Sequence, residues 1–89
     1  MKIKEGFKLR TVGGEYIVSG EGLGQIDFNR LIALNASAAY LWQAVDGKTF
    51  NAQTLANLLT DKYNITADRA LKDAIEIMAN WLEVGIVEE

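Results

Sequence analysis

The stretch of residues 34–47 constrains the fold more than any other part of the chain, because it specifies both ends of a helix. Asn35 or Ser37 can accept hydrogen bonds from the free N–H groups that open a helix. Gly47 can end the helix in the left-handed conformation. Between these ends, apolar residues recur at helical spacing, namely Ala38, Leu41, Trp42 and Val45. The stretch therefore predicts the end of a strand followed by a helix of about three turns.

Two strands and a tight turn are predicted near the start of the chain. Residues 7–12 alternate apolar and polar side chains over most of their length, which is the period-two pattern of a strand with one buried face. The glycine pair at 13–14 can supply the positive φ angles of a two-residue hairpin turn. Residues 15–19 then return as the second strand.

A third strand is predicted over residues 30–35, where both faces are apolar. Such a strand is expected to be central in a sheet or covered on both sides. Residues 20–27 contain three glycines and are predicted to be a flexible connection. Residues 20–24 lack the lysine and hydroxyl pair of a phosphate loop, and no helix follows them directly, so a mobile hairpin tip is favoured over a nucleotide site.

Two more helices and a terminal strand are predicted after Gly47. Asn51 is a good N-cap for the second helix, which continues to about Lys62, and Thr66 can cap the third. The third helix is the longest and stops at Gly85, and residues 86–87 follow as a short strand or extended tail. The apolar positions of these two helices are Leu55, Leu58, Leu59 and Tyr63, then Ala67, Leu71, Ala74, Ile75, Met78, Trp81 and Leu82.

This order of elements predicts a single domain over residues 1–89 in the α+β class, because the strands and helices are segregated along the chain. The expected architecture is a winged helix-turn-helix-like three-helix bundle with an N-terminal three-stranded antiparallel sheet. A chain of 89 residues is long enough for one such domain and too short for two.

The third helix carries two adjacent apolar faces. An ordinary packed helix needs only one of them, and the face of larger residues comprises Leu71, Ile75, Met78 and Leu82. The second face comprises Ala70, Ala74, Ile77, Trp81 and Val84. In a small domain this second face is most simply more core. The alternative is that the two small alanines leave a shallow groove, walled by Ile77, which accepts apolar side chains of a partner. Trp42 and Trp81 are predicted to be core anchors.

Composition excludes several kinds of chemistry. The chain contains neither histidine nor cysteine, which removes thiol nucleophiles, disulfides, thiolate metal sites and histidine-dependent catalysis. Three acidic residues of the last helix, Asp68, Asp73 and Glu76, are interpreted as a solvated face and not as a cation site. No cofactor is expected. The absence of a signal peptide and of an apolar membrane segment favours a cytoplasmic protein without a membrane partner.

The charge distribution bears on nucleic acid as a partner. The net charge is −3, and residues 35–89 hold four basic against eight acidic residues. A winged-helix protein that binds DNA needs a basic face to neutralise phosphates. The last helix has only Arg69 and Lys72 among several carboxylates. Nucleic acid is therefore not the expected partner.

Several short motifs, read in order over nearly the whole chain, resemble the PqqD-like family. They are Phe7-Lys-Leu-Arg, Leu34-Asn, Ala38-Ala-Tyr-Leu-Trp, Asp46-Gly-Lys-Thr, Leu55 with Leu58-Leu59, Tyr63, Asp73-Ala74 and Leu82-Glu-Val-Gly-Ile-Val. Ser37 fits the Thr or Ser that the family commonly has before the alanine of its first helix. The family often has Asp-Val in its last helix, where this chain has the smaller Ala74.

The resemblance implies a non-catalytic peptide-binding module, a RiPP recognition element. Such proteins bind the leader segment of a ribosomally made precursor peptide and present it to a modifying enzyme, often a radical SAM protein. The namesake members serve pyrroloquinoline quinone (PQQ) biosynthesis, and relatives serve other peptide pathways. The leader adds a strand to the edge of the third strand and inserts apolar side chains against the last helix. Transferred to this sequence, the site comprises Arg30, Leu31, Ile32, Ala33, Leu34, Arg69, Ala70, Asp73, Ala74 and Ile77.

Two alternatives remain at the level of sequence. The chain could be a winged-helix DNA-binding regulator, or a structural subunit that docks on another protein. The exposed edge of the third strand could also pair with a second copy of itself, which would give a homodimer. A neighbouring gene for a short peptide beside a modifying enzyme would favour the peptide-binding interpretation.

Overall fold

The computed structural model describes the backbone of residues 1–22 and 25–89 and the side chains of residues 1–20 and 31–89. It contains three helices and a three-stranded antiparallel sheet, which confirms the predicted α+β class. The winged-helix arrangement remains a prediction. In chain order the elements are β1 Lys2–Ile3, β2 Phe7–Val12, β3 Glu15–Gly22, β4 Gln25–Leu34, α1 Ala36–Val45, α2 Ala52–Lys62, α3 Ala67–Glu83 and β5 Val87–Glu88.

The N-terminal sheet has the strand order β2-β3-β4, with both pairs antiparallel. Gly13 and Gly14 connect β2 to β3 with φ angles of 58° and 82°. Because residues that carry a side chain rarely adopt such positive φ angles, the glycine pair allows the tight turn that the sequence predicts. Buried Val18 lies on the middle strand opposite Leu9 and Ile32.

The hairpin of β3 and β4 is longer than predicted, and the expected flexible connection over residues 20–27 is wrong for the residues that the structure describes. Gly20, Glu21 and Gly22 continue β3 and pair with residues 25–27 of β4. Cross-strand pairing thus outweighs the low strand preference of glycine. The register shifts between Ser19 and Gly20. Of the predicted hairpin tip at residues 20–24, residues 20–22 belong to β3, and residues 23–24 lie outside the described residues.

Strand β4 lies at an edge of the sheet, contrary to the expectation of a central or doubly covered strand. Within the described residues it pairs with β3 alone. Leu34 is buried and Ile32 half-buried, whereas Leu31 and Ala33 on the alternate side are exposed. Both faces of β4 are therefore apolar in sequence, but only one of them packs against the core, and the other is open to solvent.

A second, small sheet joins the two ends of the described chain. β1 pairs with β5 in antiparallel register, Lys2 opposite Glu88 and Ile3 opposite Val87. The short terminal strand was predicted, although its bounds are 87–88, but β1 was not. Two residues are too short to show a period, so local sequence gives no signal for β1.

The helix ends follow the predicted caps. The Ala38 amide donates to Oδ1 of Asn35 over 2.8 Å, so Asn35 and not Ser37 is the N-cap of α1. Asn51 and Thr54 form a capping box at the start of α2, and Thr66 caps α3. Gly47 follows α1 with a φ angle of 77°. None of the helices in the described part of the chain is long and apolar enough to cross a membrane.

The core is centred on three aromatic rings. Trp81 of α3 packs edge-on against Trp42 of α1, with ring centroids 5.5 Å apart, and against Phe50, with centroids 6.2 Å apart. Edge-to-face pairs place the positive edge of one ring against the negative face of the other. Both tryptophans are buried, which confirms their predicted role as core anchors.

Helix α3 buries the face of its smaller residues. Ala70, Ala74 and Trp81 are buried, whereas Leu71, Ile75 and Leu82 are exposed. The larger residues are therefore not the main core face. Alanines allow close approach between α3 and α2, which pack against each other along much of their length. Because the two faces have the same spacing, periodicity alone cannot tell which one is buried.

Candidate functional site

A cleft with a volume of about 570 Å³ lies between the end of β4, the start of α1, the end of α2 and one side of α3. It is open to solvent and is formed where the sheet meets the helices. Its lining residues are Ala33, Leu34, Asn35, Ser37, Ala38, Leu59, Tyr63, Ile65, Asp73, Glu76, Ile77, Asn80 and Trp81.

The floor of the cleft is apolar because four core residues reach it. These buried lining residues come from β4 and all three helices and are Leu34, Ala38, Leu59 and Trp81. Their positions are fixed by the core packing around Trp42 and Trp81. A rigid apolar floor of this kind can desolvate an apolar side chain of a ligand.

The side of the cleft that α3 provides has a regular spacing. Asp73, Glu76, Ile77 and Asn80 lie at i, i+3, i+4 and i+7, which places them on one side of the helix. Ile77 is half-buried, whereas Glu76 and Asn80 are exposed. The helix thus contributes an apolar contact low in the cleft and polar groups at its rim.

The rim carries negative charge. The two described acidic lining residues are Asp73 and Glu76, and no lysine or arginine belongs to the described lining. Arg69 Nε lies 3.2 Å from each carboxylate oxygen of Asp73, so the Asp73 charge has an intrahelical partner. Glu76 forms no ion pair with the residues that the structure describes. Glu76 is therefore the rim carboxylate available to a ligand.

The open edge of β4 runs into this cleft. In the described structure the strand pairs on one side with β3, so its other side has no strand partner. Ala33 and Leu34 belong to the strand and also line the cleft. The open strand edge and the cleft therefore meet at residues 33 and 34.

The structure brings together four of the predicted site residues and separates the others. Ala33, Leu34, Asp73 and Ile77 line the cleft. Arg69 lies outside and contacts the cleft through Asp73. Leu31 and Ile32 lie further along β4 and do not line it. The side chain of Arg30 lies outside the described residues.

The alternative interpretation of α3, a shallow groove at Ala70 and Ala74, is wrong, because both residues are buried. Both residues are 0% exposed and belong to the core. Neither residue lines the cleft, so both contribute to the packing of α3 in the core. The simpler of the two interpretations of this helix face holds for these two residues.

Sequence reasoning missed all of the described lining that comes from outside β4 and α3. Leu59, Tyr63 and Ile65 belong to the end of α2 and the segment after it, where no local pattern marks a binding surface. Glu76 and Asn80 could have been found, since they share the helical spacing of Asp73 and Ile77. The other missed residues were assigned to caps or to the core, and their dual role depends on the tertiary arrangement.

The cleft combines an apolar floor, a polar rim and, at the end of β4, an unpaired strand edge within the described residues. The chain has no histidine or cysteine, and the described residues contain no group of three or more side chains that could hold a metal ion.

A family model described as coenzyme PQQ synthesis protein D (PqqD) matches residues 12–87. The chain belongs to the PqqD family. Membership associates this PqqD-family chain with PQQ synthesis or related peptide-derived biosynthesis, in an accessory capacity. None of the curated proteins and none of the solved structures compared with the chain gives a match.

Proposed function

We propose that this PqqD-family protein is a non-catalytic module that captures the leader segment of a ribosomally made precursor peptide and presents it to a modifying enzyme. The observation that carries the proposal is that Ala33 and Leu34 belong both to an unpaired strand edge and to an apolar cleft. Family membership supports the same direction. The family resemblance favours a radical SAM protein as the modifying enzyme. The proposed location is the cytoplasm.

Strand addition explains how such a module binds. The leader would extend the β2-β3-β4 sheet by pairing with residues 31–34, and main-chain hydrogen bonds would supply affinity with little sequence demand. Alternate side chains of an extended peptide point to the same face. One set would enter the cleft against Leu59, Ile77 and Trp81, which supplies specificity.

A DNA-binding role is less well supported by the charges of the structure. α3 carries Arg69 and Lys72 together with Asp68, Asp73, Glu76 and Glu83. Arg69 is held by Asp73 and is not free to contact a phosphate without breaking that pair. A helix with this balance gives little counterion release on DNA.

The test uses a synthetic peptide that spans the N-terminal 20 or so residues of a precursor encoded beside this gene. We expect Ala33→Trp to lower its affinity by at least about tenfold, because the indole would occupy the cleft at the strand edge. Ala33 is exposed, so the fold should persist. Isothermal titration calorimetry measures the affinity, and circular dichroism checks the fold.

The matched control is Val12→Trp, which places the same side chain at an exposed position on the opposite edge strand, β2. Its affinity should equal that of the unsubstituted protein. Equal affinities for a folded Ala33→Trp protein and its control would contradict the proposed site. Failure of the unsubstituted protein to bind the leader would contradict the function.

A further inference from the structure

The cleft combines one free carboxylate with an apolar floor, and this combination bears on which peptides it selects. Glu76 is exposed at the rim and has no ion-pair partner among the described residues, whereas Asp73 is neutralised by Arg69. Trp81 and Leu59 lie buried at the floor. A ligand therefore meets an apolar surface and an uncompensated negative charge within one site.

The dimensions of α3 set the spacing of the ligand groups. From Asp73 to Asn80 the helix side that lines the cleft extends about 10 Å, at 1.5 Å per residue. An extended peptide advances about 3.3 Å per residue, so two side chains of the same face are about 6.6 Å apart. For a peptide that runs along α3, this length would accommodate two same-face side chains, at positions i and i+2 of the peptide.

We propose that the cleft selects a leader with a bulky apolar residue and, two positions away, a lysine or arginine. The apolar side chain occupies the floor formed by Leu59 and Trp81, and the basic side chain reaches Glu76. Glu76 is then a specificity-determining residue of the site. This inference rests on the proposed function, and it adds the chemical class of peptide that the protein accepts.

The surrounding charges favour the same class. Residues 35–89, which form the three helices and β5, contain four basic and eight acidic residues. An acidic surface attracts a basic peptide and repels an acidic one during encounter. The contribution of Glu76 is local, since an exposed pair is screened beyond about 10 Å at 0.1 M salt.

The experiment uses synthetic decapeptides with capped ends, a Ser/Thr/Val background and a single leucine. One series has lysine two positions from the leucine, a second has glutamate there, and a third has lysine next to the leucine, on the opposite face. Each series places the charged residue before or after the leucine, so that both peptide directions along β4 are covered. Backbone amide shifts in NMR titrations at low salt report binding even when it is weak.

We expect the lysine i±2 peptide of one direction to bind about threefold or more tightly than its glutamate counterpart, which is the range of an exposed ion pair. In Glu76→Lys this preference should reverse. The matched control is Glu83→Lys, the same charge change on α3 outside the cleft, which should keep the preference. The preference should largely vanish at 1 M salt, where the screening length is about 3 Å.

Three outcomes are distinguishable. Reversal in Glu76→Lys but not in Glu83→Lys supports the inference. Binding of all peptides with no dependence on charge or on lysine position overturns it and leaves the proposed function standing. Absence of shifts at the β4 edge and the cleft for every peptide overturns the strand-addition function itself, and the inference with it.

Discussion

Ala74 and Ile75 are neighbours in the chain, yet one has no exposed surface and the other is 53% exposed. The larger residue lies outside because α3 turns the face of its small alanines, Ala70 and Ala74, to the core. Caps could be predicted from single residues, since Asn35, Asn51 and Thr66 act within three residues of their own positions. The buried face of α3 could not, because it is set by tertiary packing that the periodicity of the helix does not report.

Substitution of these two neighbours tests the assignment of the faces. We expect Ala74→Trp to destabilise the fold by about 1–3 kcal/mol or more, because the indole overpacks the contact between α3 and α2. Ile75→Trp, the matched control, should change the free energy of unfolding by at most about 0.5 kcal/mol, since its site is exposed. Urea denaturation followed by circular dichroism measures both. Similar stabilities for the two variants would mean that the core face of α3 is misassigned.

Strand β4 shows what local sequence signals miss at the scale of an element. The sequence predicted a strand over residues 30–35, and the structure contains one, but it extends from Gln25 to Leu34. The additional residues are held by pairing with β3, which no local pattern reports. The edge position also depends on strand order. The sequence therefore predicts that residues 31–34 form a strand, whereas the position of that strand at an edge follows from the strand order.

Proline substitutions on β4 separate its two sides. Adjacent strand residues direct their backbone N–H groups to opposite sides, and proline removes that donor. Of Leu31→Pro and Ile32→Pro, we expect one to break the pairing with β3 and lower the melting temperature. The other should keep the fold and lower the affinity for the precursor-leader peptide several-fold. Thermal melts and titration calorimetry report the two effects. Two folded variants with undiminished affinity would exclude strand addition along this edge.

At the scale of the whole molecule, the small β1–β5 sheet joins the two ends of the described chain and covers part of the core. Ile86 and Val87 are buried, and Met1 and Ile3 pack against the same core. Main-chain hydrogen bonds join Lys4 to Ile86 and Phe50 to Met1. Composition predicted a single small domain, and the described structure shares one core among its helices and both sheets. The pairing of β1 with β5 could not be predicted, because a strand of two residues is too short to show a periodic pattern.

Removal of residues 1–4 should destabilise the protein by about 2–4 kcal/mol, since it exposes Ile86 and Val87 and removes the burial of Met1 and Ile3. Deletion of the exposed Glu89 is the control and should have little effect. Urea denaturation gives the free energy of unfolding for each protein. An unchanged value for the protein that lacks residues 1–4 would show that β1 contributes nothing to the fold.

The pairing of β1 with β5 also has a consequence for how this module can be built into larger assemblies. Because Lys2 lies opposite Glu88, the polypeptide enters and leaves the domain at neighbouring points. Domains whose termini are adjacent tolerate insertion into a surface loop of a host protein. The residues of this small sheet do not line the cleft between β4 and the helices. A copy of this domain inserted into a surface loop of a host protein should therefore keep its fold and leave the cleft accessible.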